Sequence, residues 1–293
     1  MEESWQEDER TEVEDSEFDR RFATLWYRIL READTEENNA APVALAEALK
    51  IRVITKGPPF TQTALKPLWK KMHTVLREHP TFKLIGGRQT EQADLLKQLG
   101  FHLRDDEVYL SGDYEAATDN IHSWASQYAA ECVCDELKLE AVERRLFIKA
   151  LVSHRLPGGR MQAVGQLMGS IVSFPILCIL NATVCRWAIE LAEQQVRLLR
   201  DCRMLINGDD VVIRSKETIK RFWRLTTGFI GFIESVGKTY TSRTFLEINS
   251  TRYDRLAEPR WIEIEGRDGK PVLRQTCLVM TPYVNMGLLL GLK

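Results

Sequence analysis

Asp209 and Asp210 stand side by side inside an otherwise apolar stretch, Arg203-Met204-Leu205-Ile206-Asn207-Gly208-Asp209-Asp210-Val211-Val212-Ile213-Arg214. Taking charge out of water is expensive, so paired carboxylates in such surroundings call for a reason. A bound divalent cation would supply one; a surface hairpin with a solvated acidic tip is the plainer reading. Asp113 follows a second apolar run, Glu107-Val108-Tyr109-Leu110-Ser111-Gly112, and Asp119 comes six positions later. Alone, Asp113 reads as an ordinary strand-end acid and Asp119 as a helix cap. Gly165-Gln166-Leu167-Met168-Gly169-Ser170, with Ser173 just beyond, combines glycines with small hydroxyls. That combination lets a backbone approach a ligand closely. It also suits a hinge before a core helix, with Asn181 as a buried, hydrogen-bonded amide. Lys50, Arg52 and Lys56, with Ile54, share one face of Lys50-Ile51-Arg52-Val53-Ile54-Thr55-Lys56 read as a strand. Three cations in line form a rail for a triphosphate or phosphate backbone, or keep an edge strand soluble.

The elements that would position these residues follow from periodicity. Asn207-Gly208 between β-branched arms predicts a tight hairpin turn. Apolar spacing predicts helices over 18–33, 63–78, 90–99, 121–141, 171–199 and 216–235, with Thr90 and Gly100 closing the third. Pro67 falls near the start of the second, where proline is tolerated. Residues 146–153 read as a strand, and Trp261–Glu265 with Pro271–Arg274 as a second hairpin around 266–270. Residues 1–17 read as solvated and poorly ordered.

Composition bounds the class. The chain has 293 residues and is 44% hydrophobic, ample for a core. Its formal charge is −2, but residues 1–20 hold ten acids and two bases, −8, which leaves the rest at +6. A positive body with an acidic tail suits a nucleic-acid partner. The six cysteines form no CxxC pair and read as reduced thiols of a cytosolic-type protein. The five histidines lack zinc-ligand spacing. The acidic start is neither a signal peptide nor an Arg-rich presequence. The longest apolar run, 171–182, is too short and too polar to predict a membrane span.

The order of these sites resembles the palm of the RNA-dependent RNA polymerases of positive-strand RNA viruses. The wording is closest to the botourmiavirus (ourmia-like) group, related to narnavirus, mitovirus and RNA-phage (levivirus) polymerases. Lys50-Ile51-Arg52-Val53-Ile54-Thr55-Lys56-Gly57 looks like motif F. Gly112-Asp113-Tyr114-Glu115-Ala116-Ala117-Thr118-Asp119-Asn120 looks like motif A, Gly165 to Pro175 like motif B, and Asn207-Gly208-Asp209-Asp210 like motif C. Lys238 fits motif D, and Phe245-Leu246-Glu247-Ile248-Asn249-Ser250 fits motif E. The resemblance covers about residues 45–255, and its strength is that several motifs agree in order. Two features depart from it. Leu177 stands where many such polymerases place a ribose-reading Asn, with Asn181 one helical turn on. Few residues follow motif E, so a thumb is short or absent, and a missing segment or partner chain would supply it.

The resemblance implies an α+β fold: a right-hand polymerase palm, an antiparallel sheet with packed helices, partial fingers and little or no thumb. Residues 1–40 would form an acidic extension and helix, 41–104 partial fingers, 105–255 the palm, and 256–293 a hairpin and truncated start of the thumb. It implies nucleotidyl transfer from ribonucleoside triphosphates, templated by RNA, with two divalent ions held by carboxylates. Asp113, Asp209 and Asp210 would bind Mg2+, with Mn2+ as a substitute. Lys50, Arg52 and Lys56 would hold the triphosphate. Asp119, Gly169, Ser170, Ser173 and Asn181 would line the nucleotide site, and Lys238 would act as general acid. Template, nascent strand and triphosphates are the implied partners, and the host cytoplasm the implied location. A reverse transcriptase shares the carboxylates but usually carries a bulky aromatic where Asp119 stands. An inactive remnant that binds RNA without extending it, and a plain α+β domain with incidental acids, are the remaining alternatives.

Overall fold

The computed structural model describes residues 2–47, 50–86, 92–265 and 271–282. Helix α1 spans Glu2–Thr35, so the acidic segment expected to be poorly ordered is helical. Glutamate is a good helix former, and acids near a helix N-terminus offset its dipole. Strands β1 (Ala41–Glu47) and β2 (Lys50–Lys56) pair antiparallel, Leu45 opposite Arg52. Pro42 and three alanines hide β1 from a propensity reading. The single helix expected over 63–78 is two, α2 (Pro59–Ala64) and α3 (Lys66–Glu78), parted at Leu65. Pro67, lacking an N–H, sits in the first turn of α3 and cannot bond back into α2. Helix α4 is Gln92–Leu99, and Gly100 follows at φ +80°; the cap expected at Thr90 lies outside the described residues.

Strand β3 (Glu107–Gly112) leads through a short α5 (Ala117–Asn120) to α6 (Ser123–Leu137) and α7 (Ala141–Lys149). Helix α7 replaces the strand expected at 146–153. A capping box between Glu140 and Glu143 starts it, and Leu146 and Phe147 are buried on it. Helix α8 (Ser173–Glu193) is shorter than expected, closed by Gln194 in the left-handed region. Strands β4 (Met204–Asn207) and β5 (Asp210–Lys216) form the acidic hairpin, followed by α9 (Ile219–Phe229), β6 (Tyr240–Ser242), β7 (Phe245–Ile248), β8 (Thr251–Glu265) and β9 (Pro271–Met280). Helix α9 stops well before Ser235, in a stretch broken by Gly228 and Gly231. The hairpin expected near 261–274 is the end of the longer β8–β9 ladder, with Glu265 opposite Pro271; its connection, 266–270, lies outside the described residues.

The central sheet runs β4-β5-β3-β6, antiparallel throughout. Both faces are covered, which is why its strands read as near-continuous apolar runs. Met204, Ile206, Val211, Ile213, Val108 and Leu110 join a core with α6–α9. The alternating residues Leu205, Val212 and Tyr109 meet α4 and the β7-β8-β9 sheet on the other face. Helix α8 is long and apolar enough to cross a bilayer by length and composition, longer than the run 171–182 suggested. Thirteen of its residues are buried in the core, and burial accounts for its apolarity.

Gly169 packs its Cα against β2: a Cβ there would lie 1.8 Å from the Thr55 carbonyl oxygen. The glycine permits close approach to a strand of the protein itself, and that contact seats the β1–β2 hairpin beside the motif B loop. Gly169→Ala should therefore destabilise the chain by about 1–3 kcal/mol, as overpacking does, read as a lower urea midpoint.

Candidate active site

The hairpin turn is Gly208-Asp209, since Asn207 pairs with Asp210. Its centre is thus one residue later than Asn-Gly predicts. Gly208 has φ +68°, and Asp209 is not in that region, the pattern of a turn with Gly at its first central position. On β3, Gly112 pairs with Val211. Asp113, one residue further, comes beside the acidic turn although 96 positions separate it from Asp209. Thr239 Oγ1 donates to the Asp113 carbonyl at 3.2 Å and lies 3.3 Å from the Asp113 N–H. Ser235 N–H also donates to that carbonyl, at 2.9 Å.

Asp113, Asp119 and Asp209 line one cleft of about 430 Å³ with Arg52, Ser173 and Lys238, beside Met168, Phe174 and Leu177. Burial pushes the Asp209 carboxyl above its ordinary range, and the Asp113 charge adds to the shift. Burial, then the charges of Asp209 and Asp113, push Asp210 up to about 6. Lys238 Nζ lies 3.2 Å from Asp113 Oδ2, an ion pair at the cleft mouth with the lysine side chain 73% exposed. That oxygen is buried and accepts no aligned hydrogen bond among the described residues.

The other expected site residues are placed differently. Asp210 is not among the cleft residues; its carboxylate takes the backbone N–H of Asn249, at the β7–β8 turn where Asn249 and Ser250 both have positive φ. Asn207 Nδ2 donates to Asn249 Oδ1 at 2.8 Å. Lys56 lines a separate hollow with Glu36 and Arg155, and the Lys50 side chain lies outside the described residues. Alternation along β2 is real, but its rail is not one continuous lining. Ser170 is buried and is not among the cleft residues, and its hydroxyl, like that of Ser173, has no hydrogen-bond partner among the described residues. Asn181 is fully buried and its amide is bonded within the protein, so it does not reach the cleft. Asp119 is no cap of α6, whose N-cap is His122. It is exposed on α5, which Ala116 starts at φ 43°. Gly165 and Gln166 N–H groups bond to the Ile121 and Thr118 carbonyls and hold that turn in place. Thr239 and Asn249 carry no sequence signal for their contacts, because Thr239 bonds the backbone of a distant acid and Asn249 meets the Asp210 carboxylate with its own backbone N–H.

Among the described residues no three His, Cys, Asp or Glu side chains form a group able to hold a metal ion. Of the three aspartates that line the cleft, Asp113 and Asp209 are the pair close enough to raise each other's cost of charge, and one Asp113 oxygen is buried without an aligned donor. A hard cation that keeps waters and takes substrate phosphate oxygens beside one or two carboxylates fits that donor set, which is the habit of Mg2+.

Residues 41–250 match the family model described as mitovirus RNA-dependent RNA polymerase. The chain belongs to that family. It is 34% identical to the RNA-dependent RNA polymerase of Ourmia melon virus (isolate Melon/Iran/VE9), over 76% of this chain and 29% of that protein. It therefore spans under a third of the curated relative. The fold is shared with the crystal structure of the RNA-dependent RNA polymerase of a human picorbirnavirus, TM-score 0.60 at 11% identity, covering 74% of this chain and 43% of that one. The insertion loop deletion mutant of that polymerase superposes similarly, TM-score 0.57 at 14% identity, covering 74% and 44%. The α+β palm that the motifs implied is thus the fold of this polymerase family.

The raised carboxyl of Asp210 makes a stability prediction. A folded pKa of about 6, above the unfolded value near 3.9, means that the charge costs stability above pH ~6 and that the cost fades as pH falls below it. Asp210→Asn should raise the metal-free melting temperature by roughly a few degrees near neutral pH. The gain should shrink toward zero by about pH 4, as measured by thermal scans across that range.

Proposed function

We propose that this chain carries the catalytic palm of an RNA-directed RNA polymerase that replicates a positive-strand RNA virus genome from ribonucleoside triphosphates. The observation that carries the reading is the meeting of Asp113 and Asp209 in one cleft with Arg52, Asp119 and Lys238. Family membership supports the reaction class. Mg2+ held by Asp113 and Asp209, with Mn2+ as a substitute, would stabilise charge on the attacking and leaving oxygens of an in-line displacement.

The chain's own residues have distinct parts. Arg52 faces the acidic pair and holds the triphosphate by charge-assisted hydrogen bonds. Asp119 accepts a hydrogen bond from the ribose 2′-hydroxyl, a group that tells ribose from deoxyribose. Ser173, its buried hydroxyl unspent, offers a further contact to the incoming nucleotide. Lys238, the ion-pair partner of Asp113, gives a proton to the departing pyrophosphate. Asp210 acts from behind the turn, holding it against Asn249. Lys56, at the end of the same strand as Arg52, offers a further positive charge to the template backbone. In this division residues 1–40 are an acidic extension and helix, 41–104 part of the fingers, 105–255 the palm, and 256–293 the start of the thumb. The six free cysteines suit a reducing compartment such as the host cytoplasm.

Primer extension on an RNA template with Mg2+ tests this directly. Asp209→Ala should lose extension to background while keeping the wild-type far-ultraviolet circular dichroism. Extension at the wild-type rate would remove the carboxylate from the chemistry, and RNA binding without extension by the wild-type chain would leave the binding remnant instead. Asp119→Ala should lower the preference for ribonucleotides over deoxyribonucleotides by roughly tenfold or more, measured as a ratio of kcat/KM values. An unchanged ratio would take ribose selection away from Asp119.

A further inference from the structure

A buried chain of hydrogen bonds joins the two backbone segments that carry the acidic pair. Tyr114, the residue after Asp113, stacks on Trp223 and on Phe232, with ring centroids 5.2 and 4.4 Å away. Its hydroxyl donates to Asn181 Oδ1 at 2.7 Å and accepts the Trp223 indole N–H at 3.1 Å. Asn181 Nδ2 donates to the Gly208 carbonyl at 2.9 Å, with the Asp209 carbonyl 3.4 Å away. The Gly208 N–H is taken at 3.3 Å by Cys178 Sγ, one turn earlier on α8. The turn residue before Asp209 is thus gripped on both sides, and the residue after Asp113 is tied to the same side chain.

The residue type follows from this geometry. A carboxamide accepts at one atom and donates at its neighbour. The Asn181 position needs both, an acceptor toward Tyr114 and a donor toward Gly208. Aspartate would keep the acceptor, lose the donor and bury a charge close to Asp209. Both functions are already engaged inside the protein, which leaves Asn181 nothing to offer a ribose. Asp113 and Asp209 meanwhile repel each other across the cleft, so some element must resist their spreading when no cation lies between them.

We propose that Asn181 and Tyr114 are positioning residues that set the spacing of Asp113 and Asp209, and through it the affinity of the pair for a divalent cation. The proposal rests on the metal-binding reading given above. Both side chains are buried, and each acts through the backbone of an acid. Residues that orient metal ligands in this way usually matter to metal affinity by one to two orders of magnitude.

The test uses the full chain as wild type, Asn181→Leu, Tyr114→Phe and Thr226→Val. The last removes a buried hydrogen bond of α9 to the Val184 carbonyl and a longer one to the Trp223 carbonyl, leaves the Tyr114–Asn181–Gly208 contacts in place, and controls for general loosening of the same helix pair. Mn2+ uptake is followed by loss of the free-ion electron paramagnetic resonance signal, which needs no turnover. Circular dichroism and melting temperature check folding. Asn181→Leu should weaken Mn2+ binding roughly tenfold or more, and Tyr114→Phe by a smaller factor, with Thr226→Val at the wild-type value. In extension assays the divalent-ion requirement should rise for both bridge variants while the ribose-to-deoxyribose ratio stays put, because a spacing defect does not alter ribose contacts. If Asn181→Leu fails to fold, Tyr114→Phe, which removes one oxygen, decides alone. Folded bridge variants that bind Mn2+ like Thr226→Val would overturn the proposal and leave the metal reading standing. A wild-type chain that takes up no Mn2+ would overturn both.

Discussion

Two like charges held within reach of each other at the end of an apolar sheet are the constraint on which this structure turns. Asp113 and Asp209 repel, and burial makes each charge costlier than it would be in water. The surrounding elements resist that spreading. Thr239 and Ser235 fasten the Asp113 backbone. Asn181 and Cys178 fasten the Gly208 peptide. Lys238 balances part of the charge from the exposed side. On the function proposed above, such an arrangement trades stability of the metal-free chain for a preformed place to put a cation.

The sheet can carry this load because it is covered on both faces. Helices α6–α9 meet one set of alternating side chains, and α4 with the β7-β8-β9 sheet meets the other. A buried strand cannot slip by one residue without turning its side chains to the wrong core. The register that sets Gly112 across from Val211, and so Asp113 beside the turn, is therefore locked by apolar packing well away from the acids. The Glu107–Arg214 ion pair at the far end of the same two strands, 2.6 Å between Arg214 Nη2 and Glu107 Oε2, also resists a slip.

Loops are positioned by close backbone approach. Gly169 lets the loop before α8 lie directly on β2, and Ile171 N–H is held by Gln62 Oε1 of α2 at 3.0 Å. The strand carrying Arg52 and the loop before Ser173 are thus neighbours, and both residues line the cleft. The β7–β8 turn reaches the opposite side of the acidic hairpin through Asn249. The cleft is bounded by five short segments between Arg52 and Lys238.

The sequence by itself determined the elements whose signal is local. Apolar runs, the Gly after the hairpin arm and the helix periodicities foretold the acidic hairpin, β3, α4 and α8, and the order of motifs foretold the family. Local signals failed where tertiary packing outweighed them. Residues 146–149 have strand-like composition but are helical, because a capping box and a helical face serve the core better there. Strand β1 is alanine-rich and exists because β2 pairs with it. Of the site residues expected from the sequence, Asp113, Asp209, Asp119, Arg52, Ser173 and Lys238 meet in one cleft. Only the tertiary structure decided that Asp210 faces Asn249, that Lys56 lies in another hollow, and that Asn181 spends its amide on Tyr114 and Gly208. Strand alternation says that neighbouring side chains diverge but not which of them meets the cleft. That choice belongs to the packing partner on each face, and those partners come from segments far away along the chain.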